Sequence, residues 1–199
     1  MPALMYLFTV SVSGTKKEMI KHVLTALIFS WIGDVVLLFS GQAAFIGGMV
    51  AFLIAHIFYI RAFIGISGNR IRFGLPIWFA MALMAVVVTT LMEILWPYLG
   101  ALRIPVLVYA LTIACMFLFA CNAAMFIQNK MIALLLVLGA ALFIVSDACL
   151  SLNIFRYNNS SFPIIVMLTY CAAQFLLVKG FSAFITGKPQ QQPLDLLLE

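Results

Sequence analysis

Two aspartates stand inside otherwise apolar runs: Asp34 in Ser30-Trp31-Ile32-Gly33-Asp34-Val35-Val36-Leu37, and Asp147 in Phe143-Ile144-Val145-Ser146-Asp147-Ala148-Cys149-Leu150. A carboxylate in hydrocarbon costs roughly 2.5 to 3.5 kcal/mol on insertion scales, so each needs a partner, a wet cavity or a chemical task. Two carboxyl groups sharing a low-dielectric site can divide the work of acid and base, one holding its proton while the other stays charged. His56, with Tyr59 on the same face, adds an imidazole that can orient a carboxyl or relay its proton. Ser30 lies one turn below Asp34. Tyr109, Asn153, Tyr170 and Gln174 supply further hydrogen-bonding groups, the last two at i and i+4. Such side chains also fasten membrane helices together through hydrogen bonds worth roughly 1 kcal/mol, a role equally open to Tyr109, Tyr170 and Gln174.

The composition shows what must position these groups. Of 199 residues, 66% are hydrophobic and 9% charged, and the mean hydropathy is +1.20, far outside the range of a soluble globular domain. A bilayer provides the apolar solvent, and a helix of roughly 20 apolar residues crosses it with its backbone hydrogen bonds satisfied internally. Gly, Pro, Asn and charged residues divide the chain into apolar segments near 2–13, 19–40, 43–65, 72–96, 101–121, 131–153 and 161–185. The first is too short to span. The expected fold is all-α: a polytopic transmembrane bundle of six full spans plus a short N-terminal segment. Loops this short leave no room for a second domain, so 1–186 reads as one domain and 187–199 as a polar tail.

Alternating the segments across the bilayer places Lys16, Lys17, Lys21, Arg61, Arg70, Arg72, Lys130, Lys179 and Lys188 on one side, and only Arg103 and Arg156 on the other. By the positive-inside rule the first side, with the C-terminus, faces the cytoplasm, in a bacterial inner membrane or an endoplasmic reticulum. Scattered cations of this kind orient a membrane protein and do not form a nucleic-acid patch. Both aspartates then lie about six residues from the outer ends of their spans, at similar depth, with His56 near the midplane. Equal depth makes a shared pocket possible if the two helices are neighbours. Glu93, beside Trp96 and across a short loop from Arg103, reads as half of an interfacial ion pair. Trp78, Trp96, Tyr98 and Tyr157 read as interfacial aromatics. Cys115, Cys121, Cys149 and Cys171 lack Cys-x-x-Cys spacing, imply neither disulfides nor a metal site, and read as small core residues.

Several short motifs now fall in order: Gly33-Asp34; His56-Ile57-Phe58-Tyr59; Arg103-Ile104-Pro105 through Tyr109; Gly139-Ala140-Ala141-Leu142-Phe143 leading into Ser146-Asp147 and Leu152-Asn153; and Thr169-Tyr170-Cys171-Ala172-Ala173-Gln174. Over nearly its whole length the chain resembles the YhhN-like integral membrane proteins, whose characterised members are lysoplasmalogenases. Family members usually have eight spans. Relative to them this chain enters partway through a helix at Met1-Pro2, and a lysine common before that proline in the family has no counterpart here.

The resemblance implies a cofactor-free hydrolysis of the vinyl ether of a lysophospholipid substrate, releasing a fatty aldehyde and glycerophosphoethanolamine or glycerophosphocholine. Carbon protonation gives an oxocarbenium ion that water captures, and carboxylate pairs serve a comparable ion in glycosidases. Either aspartate could be the acid, with His56 as orienter or relay. The tail would lie between helices in the lipid bilayer, and Arg103 or Arg156 could pair with the phosphate. Two other readings stay open. Gly33-Asp34 shares a Gly-Asp pair with intramembrane aspartyl proteases, although their Tyr-Asp partner is missing and Pro2-Ala3-Leu4 stands at the wrong end for their Pro-Ala-Leu element. Membrane acids and histidines also build the relays of proton-coupled transporters, although no inverted repeat is visible.

Overall fold

The computed structural model describes residues 1–12, 16–39, 41–159 and 161–187. Seven α-helices follow one another: α1 Pro2–Ser11, α2 Lys17–Val36, α3 Gln42–Ser67, α4 Leu75–Leu99, α5 Arg103–Ala124, α6 Lys130–Leu152 and α7 Phe162–Thr186. A 3-10 turn, Gly100–Leu102, joins α4 to α5, and a π turn, Asn153–Tyr157, extends α6. The seven apolar segments correspond to these helices in order. Five helical stretches are long and apolar enough to cross a membrane. The longest, 50 residues from Leu75 to Ala124, is two antiparallel passes, α4 and α5. Beyond Gly187 the expected polar tail lies outside the described residues.

Local chemistry sets the breaks. The α4–α5 reversal sits at Gly100, whose φ of 52° and ψ of −121° exclude most side chains. Pro97, expected in the loop, is instead inside the last turn of α4. Its missing N–H and ring weaken helix continuation just where the chain turns, so the helix outlasts the expected boundary and still stops. Asn129 caps α6 by accepting from the backbone N–H of Met131 and Ile132. Asn122 clasps the inner end: its Oδ1 accepts from Arg72 N and its Nδ2 donates to the Arg70 carbonyl, both at 3.0 Å.

The packing order around the bundle is α1, α2, α3, α5, α6, α7 and back to α1, a closed ring with α4 outside it against α5. Tyr59, Phe63, Phe143 and Phe181 fill the ring's interior, and Phe8 of the short α1 plugs its remaining gap. Lys16 fastens that corner, donating to the Phe184 carbonyl at 3.1 Å with its ammonium over the Phe184 ring. Lipid tails give no hydrophobic drive between spans, so close backbone approach matters most. A Cβ on Gly33 would stand 2.7 Å from the Phe52 ring, and one on Gly139 2.9 Å from Leu177, so α2–α3 and α6–α7 meet where only glycine fits.

Two expectations are corrected. The cysteines are not core: Cys115 and Cys171 are exposed and Cys121 and Cys149 half-buried. A thiol is a small hydrophobe, and hydrocarbon receives it as readily as a protein interior does. Arg103 forms no ion pair with Glu93 among the described residues. Its Nε donates to the Trp96 carbonyl at 3.2 Å and its guanidinium stacks over that indole, where a helix-end carbonyl and a π face lie closer than the carboxylate.

Candidate active site

In the half of the bundle toward the α4–α5 turn there is a groove between α3, α4, α5 and α6. Phe45, Met49 and Phe52 form one wall, Met84, Val87, Val88 and Leu91 of α4 the opposite one, and Val106, Tyr109, Ala110, Ile113 and Ala114 the back. A largely apolar groove with a few convergent polar groups has the make-up of a ligand site. Asp147 is the one ionisable carboxyl in the lining, with Ser151 and Phe155 above it toward the outer surface.

Asp147 is held on two sides. The Tyr109 hydroxyl of α5 donates to its Oδ2, and Oδ1 has no hydrogen-bond partner among the described residues. Behind it stands His56, fully buried, with Nε2 3.9 Å from the same Oδ2. At that distance the two approach without a hydrogen bond. The geometry assigns the tautomer: Nδ1 lies 2.5 Å from the Phe52 carbonyl, which only accepts, so Nδ1 carries the proton. In the neutral ring Nε2 is then a bare lone pair, buried and without a partner, aimed at the carboxyl. Edge-on contacts with Tyr109 and Phe143 lock the imidazole in place.

A second polar cluster occupies the ring interior. The Tyr59 hydroxyl donates to Gln174 Oε1 at 2.6 Å, and Gln174 Nε2 donates to Ser30 Oγ at 3.1 Å, so α3, α7 and α2 are joined through one amide that is itself 0% exposed. One turn above Ser30 is Asp34, with the Tyr170 hydroxyl beside it. That hydroxyl lies close to the Asp34 carboxyl and the Gln174 amide but meets hydrogen-bond geometry with neither. Tyr170 also packs edge-on against Phe52 and Phe143, and Phe143 contacts both His56 and Tyr59. The two clusters thus meet across an aromatic partition.

Among the residues anticipated from sequence, His56, Tyr109 and Asp147 converge, and Ser30, Tyr59 and Gln174 converge, with Tyr170 between the second group and Asp34. Asp34 is not part of the groove lining, and α2 and α6 share no packed face. Asn153 is occupied elsewhere: its Oδ1 accepts from Asn159 N at 2.8 Å and its carbonyl from Asn158 N, which closes the π turn. Arg103 and Arg156 sit at the end of the bundle where α4 turns into α5 and α6 ends, Arg156 over the rings of Tyr98 and Tyr157. Sequence reasoning passed over Phe52, whose carbonyl sets the imidazole tautomer, and the whole α4 wall. Phe52 is one helical turn before His56, the spacing at which a backbone carbonyl can meet a side chain. The α4 residues carry no signal that separates groove from lipid. Among the described residues no three His, Cys, Asp or Glu side chains converge as metal ligands do.

Comparison with known proteins bears on this arrangement. A lysoplasmalogenase of Mycobacterium bovis is 29% identical over 163 residues, covering 78% of this chain and 58% of the relative. The lysoplasmalogenase TMEM86A of Bos taurus is 32% identical over 159 residues, covering 78% of this chain and 63% of the relative. Its Homo sapiens counterpart is 30% identical over 160 residues with the same coverages. The chain therefore spans about three fifths of the length of these curated relatives. No solved structure matches it. The profile of the YhhN family matches residues 1–181, every helix up to the latter part of α7, and this integral multi-pass membrane protein belongs to that family.

Proposed function

We propose that the protein is a lysoplasmalogenase in which Asp147 alone serves as both acid and base. The observation that carries this reading is one carboxyl, anchored by Tyr109 and backed by a tautomer-fixed histidine, set in the wall of an otherwise apolar groove at membrane depth. The relatives named lysoplasmalogenase support the same activity.

In the first step protonated Asp147 gives its proton to the alkenyl carbon β to the ether oxygen; the π pair forms the new C–H bond, and a lone pair of the ether oxygen delocalises onto the electron-deficient carbon beside it, giving an oxocarbenium ion. The new Asp147 carboxylate stands beside that cation and stabilises it. Water entering from the outer rim attacks the cationic carbon and surrenders a proton to Asp147, which restores the acid and leaves a hemiacetal. The hemiacetal breaks its bond to the glycerol oxygen, giving a fatty aldehyde and a glycerophospholipid alcohol. One water is consumed and no charge is left over.

The remaining groups position this carboxyl. Tyr109 fixes its rotamer and stabilises its charged form. His56 backs the Oδ2 side of the carboxyl, so that Oδ1 is the oxygen turned to the substrate. Asp34, reached only through Tyr170 and the aromatic partition, is a positioning residue for the interior network. Arg156, next to the groove residue Phe155, and Arg103, one turn from Val106, are placed to meet the phosphate at the outer rim, with the cation-rich ends and the C-terminus cytoplasmic. Purified protein in nanodiscs should release fatty aldehyde from lysoplasmenyl ethanolamine or choline and leave the saturated alkyl-ether analogue intact. Absence of aldehyde from every alkenyl substrate overturns the reading.

A further inference from the structure

The groove does not end at the carboxyl. From the α6 terminus, Asp147 lies roughly 8 Å below the outer end of the bundle at the helical rise per residue, Ala114 roughly 16 Å below the start of α5, and Met84 roughly 22 Å below the end of α4. An apolar channel therefore continues roughly 8 to 14 Å inward past Asp147. Its sides are Val87, Val88 and Ile113, and below Tyr109 its lining holds no polar group. Its deepest lining residues are Ala114 of α5 and, roughly 6 Å further in by the helical rise, Met84 of α4, only 7% and 6% exposed. The α4 wall packs mainly on α5 and on the turn after α6, and Phe45, Ile46 and Met49 of α3 pack against the cluster that Met92, Leu95, Leu99 and Val106 form above it.

We propose that this inner channel is a measuring slot for a single hydrocarbon chain, with Ala114 and Met84 as its floor, so that these two residues set the chain-length preference. The occupant follows from the chemistry of the walls. A second chain on the same headgroup would have to share a slot already walled on three sides, and a polar tail would meet no hydrogen-bonding partner below Tyr109. With the reactive carboxyl above the slot, a chain that reaches the floor puts its first carbons beside Asp147, and a shorter one leaves them free to slide. This inference rests on the proposed activity for its substrate but not for its binding geometry.

The test uses full-length protein in nanodiscs with two readouts. In the first, kcat/KM is compared for decenyl lysoplasmalogens, whose extended chain matches the depth of the slot, and hexenyl lysoplasmalogens, whose chain stops short of the floor, in wild type, Ala114→Phe and Met84→Ala. Each excluded methylene costs roughly fourfold in affinity. Ala114→Phe, which fills the space of two or three methylenes, should lower the long-to-short ratio roughly thirtyfold, and Met84→Ala should raise it. In the second, thermal stabilisation by saturated alkyl-ether lysophospholipids of graded length reports the slot without turnover, and the most stabilising length should shorten in Ala114→Phe and lengthen in Met84→Ala. If Ala114→Phe does not fold, Met84→Ala and Met84→Phe carry the comparison in opposite directions. Unchanged length preferences in folded variants overturn the slot, whether or not the protein is active. Shifted binding preferences with no aldehyde from any protein uphold the slot and overturn the proposed activity.

Discussion

Replacing Tyr109 by Phe removes one hydroxyl and little else. The ring keeps its place in the groove wall and its edge-on contact with His56, whose centroid is 5.5 Å away. What disappears is the single protein hydrogen bond to the Asp147 carboxyl. A bond to a charged acceptor contributes about 1.5 to 3 kcal/mol, and to a neutral one about 0.5 to 1.5. Asp147 acquires its charge only as it gives up the proton, so the bond strengthens along the reaction and its loss falls mainly on the barrier. If nearly the whole of it is felt there, kcat drops roughly 10- to 150-fold. The substrate touches the carboxyl through the other oxygen, so KM should hardly move. Steady-state aldehyde release, coupled to an aldehyde dehydrogenase and run beside a melting curve in the same nanodiscs, separates the cases. A kcat within twofold of wild type, or a loss carried wholly by KM, refutes the claim that Tyr109 acts by stabilising the carboxylate.

Two further perturbations probe the scaffold. Gln174→Leu strands the buried Tyr59 hydroxyl and should destabilise the bundle by about 2 to 3 kcal/mol. Adding Tyr59→Phe should return about 1 kcal/mol or more of that loss, and strictly additive melting shifts would show that the two side chains are not bonded. Gly33→Ala drives a methyl into the Phe52 ring, so stability should fall by about 1 to 3 kcal/mol. Because the Phe52 carbonyl holds His56, kcat should fall with it, and unchanged melting together with unchanged kcat would place α2 and α3 farther apart than described.

The helices and their order were legible in the chain, and so was the anomaly of each carboxylate or amide inside an apolar run, which no lipid-facing position tolerates. Depth, however, is one coordinate, and the site needs two. Counting along the spans puts Asp34 and Asp147 at similar depth, yet α4 lies outside the ring, so α3 meets α5 and the order around the bundle departs from the order in sequence. Azimuth is what pairs Asp147 with Tyr109 and His56 and links Asp34 to Tyr170. The groove itself was invisible, since Met84, Val88 and Leu91 are as apolar as any residue facing lipid. Pro97 shows the same limit locally: a strong breaker ends a helix within a turn of itself, and which side of the proline the boundary takes depends on the turn that follows. The aspartyl-protease reading needed two facing aspartates, and α2 and α6 are not packed to provide them.

Aldehyde release by Asp147→Asn and Asp34→Asn, each measured against wild type at matched folded concentration, bears most directly on the assignment of the chemistry to one carboxyl. Removing a positioned general acid costs roughly 100- to 10,000-fold. Asp147→Asn should therefore lose activity on that scale, whereas Asp34→Asn, outside the groove, should retain a tenth or more of wild-type kcat, a loss of about 1.4 kcal/mol or less. Equal and near-complete loss in both variants would contradict the account and restore a two-carboxylate mechanism, and full activity in Asp147→Asn would remove Asp147 from the reaction altogether.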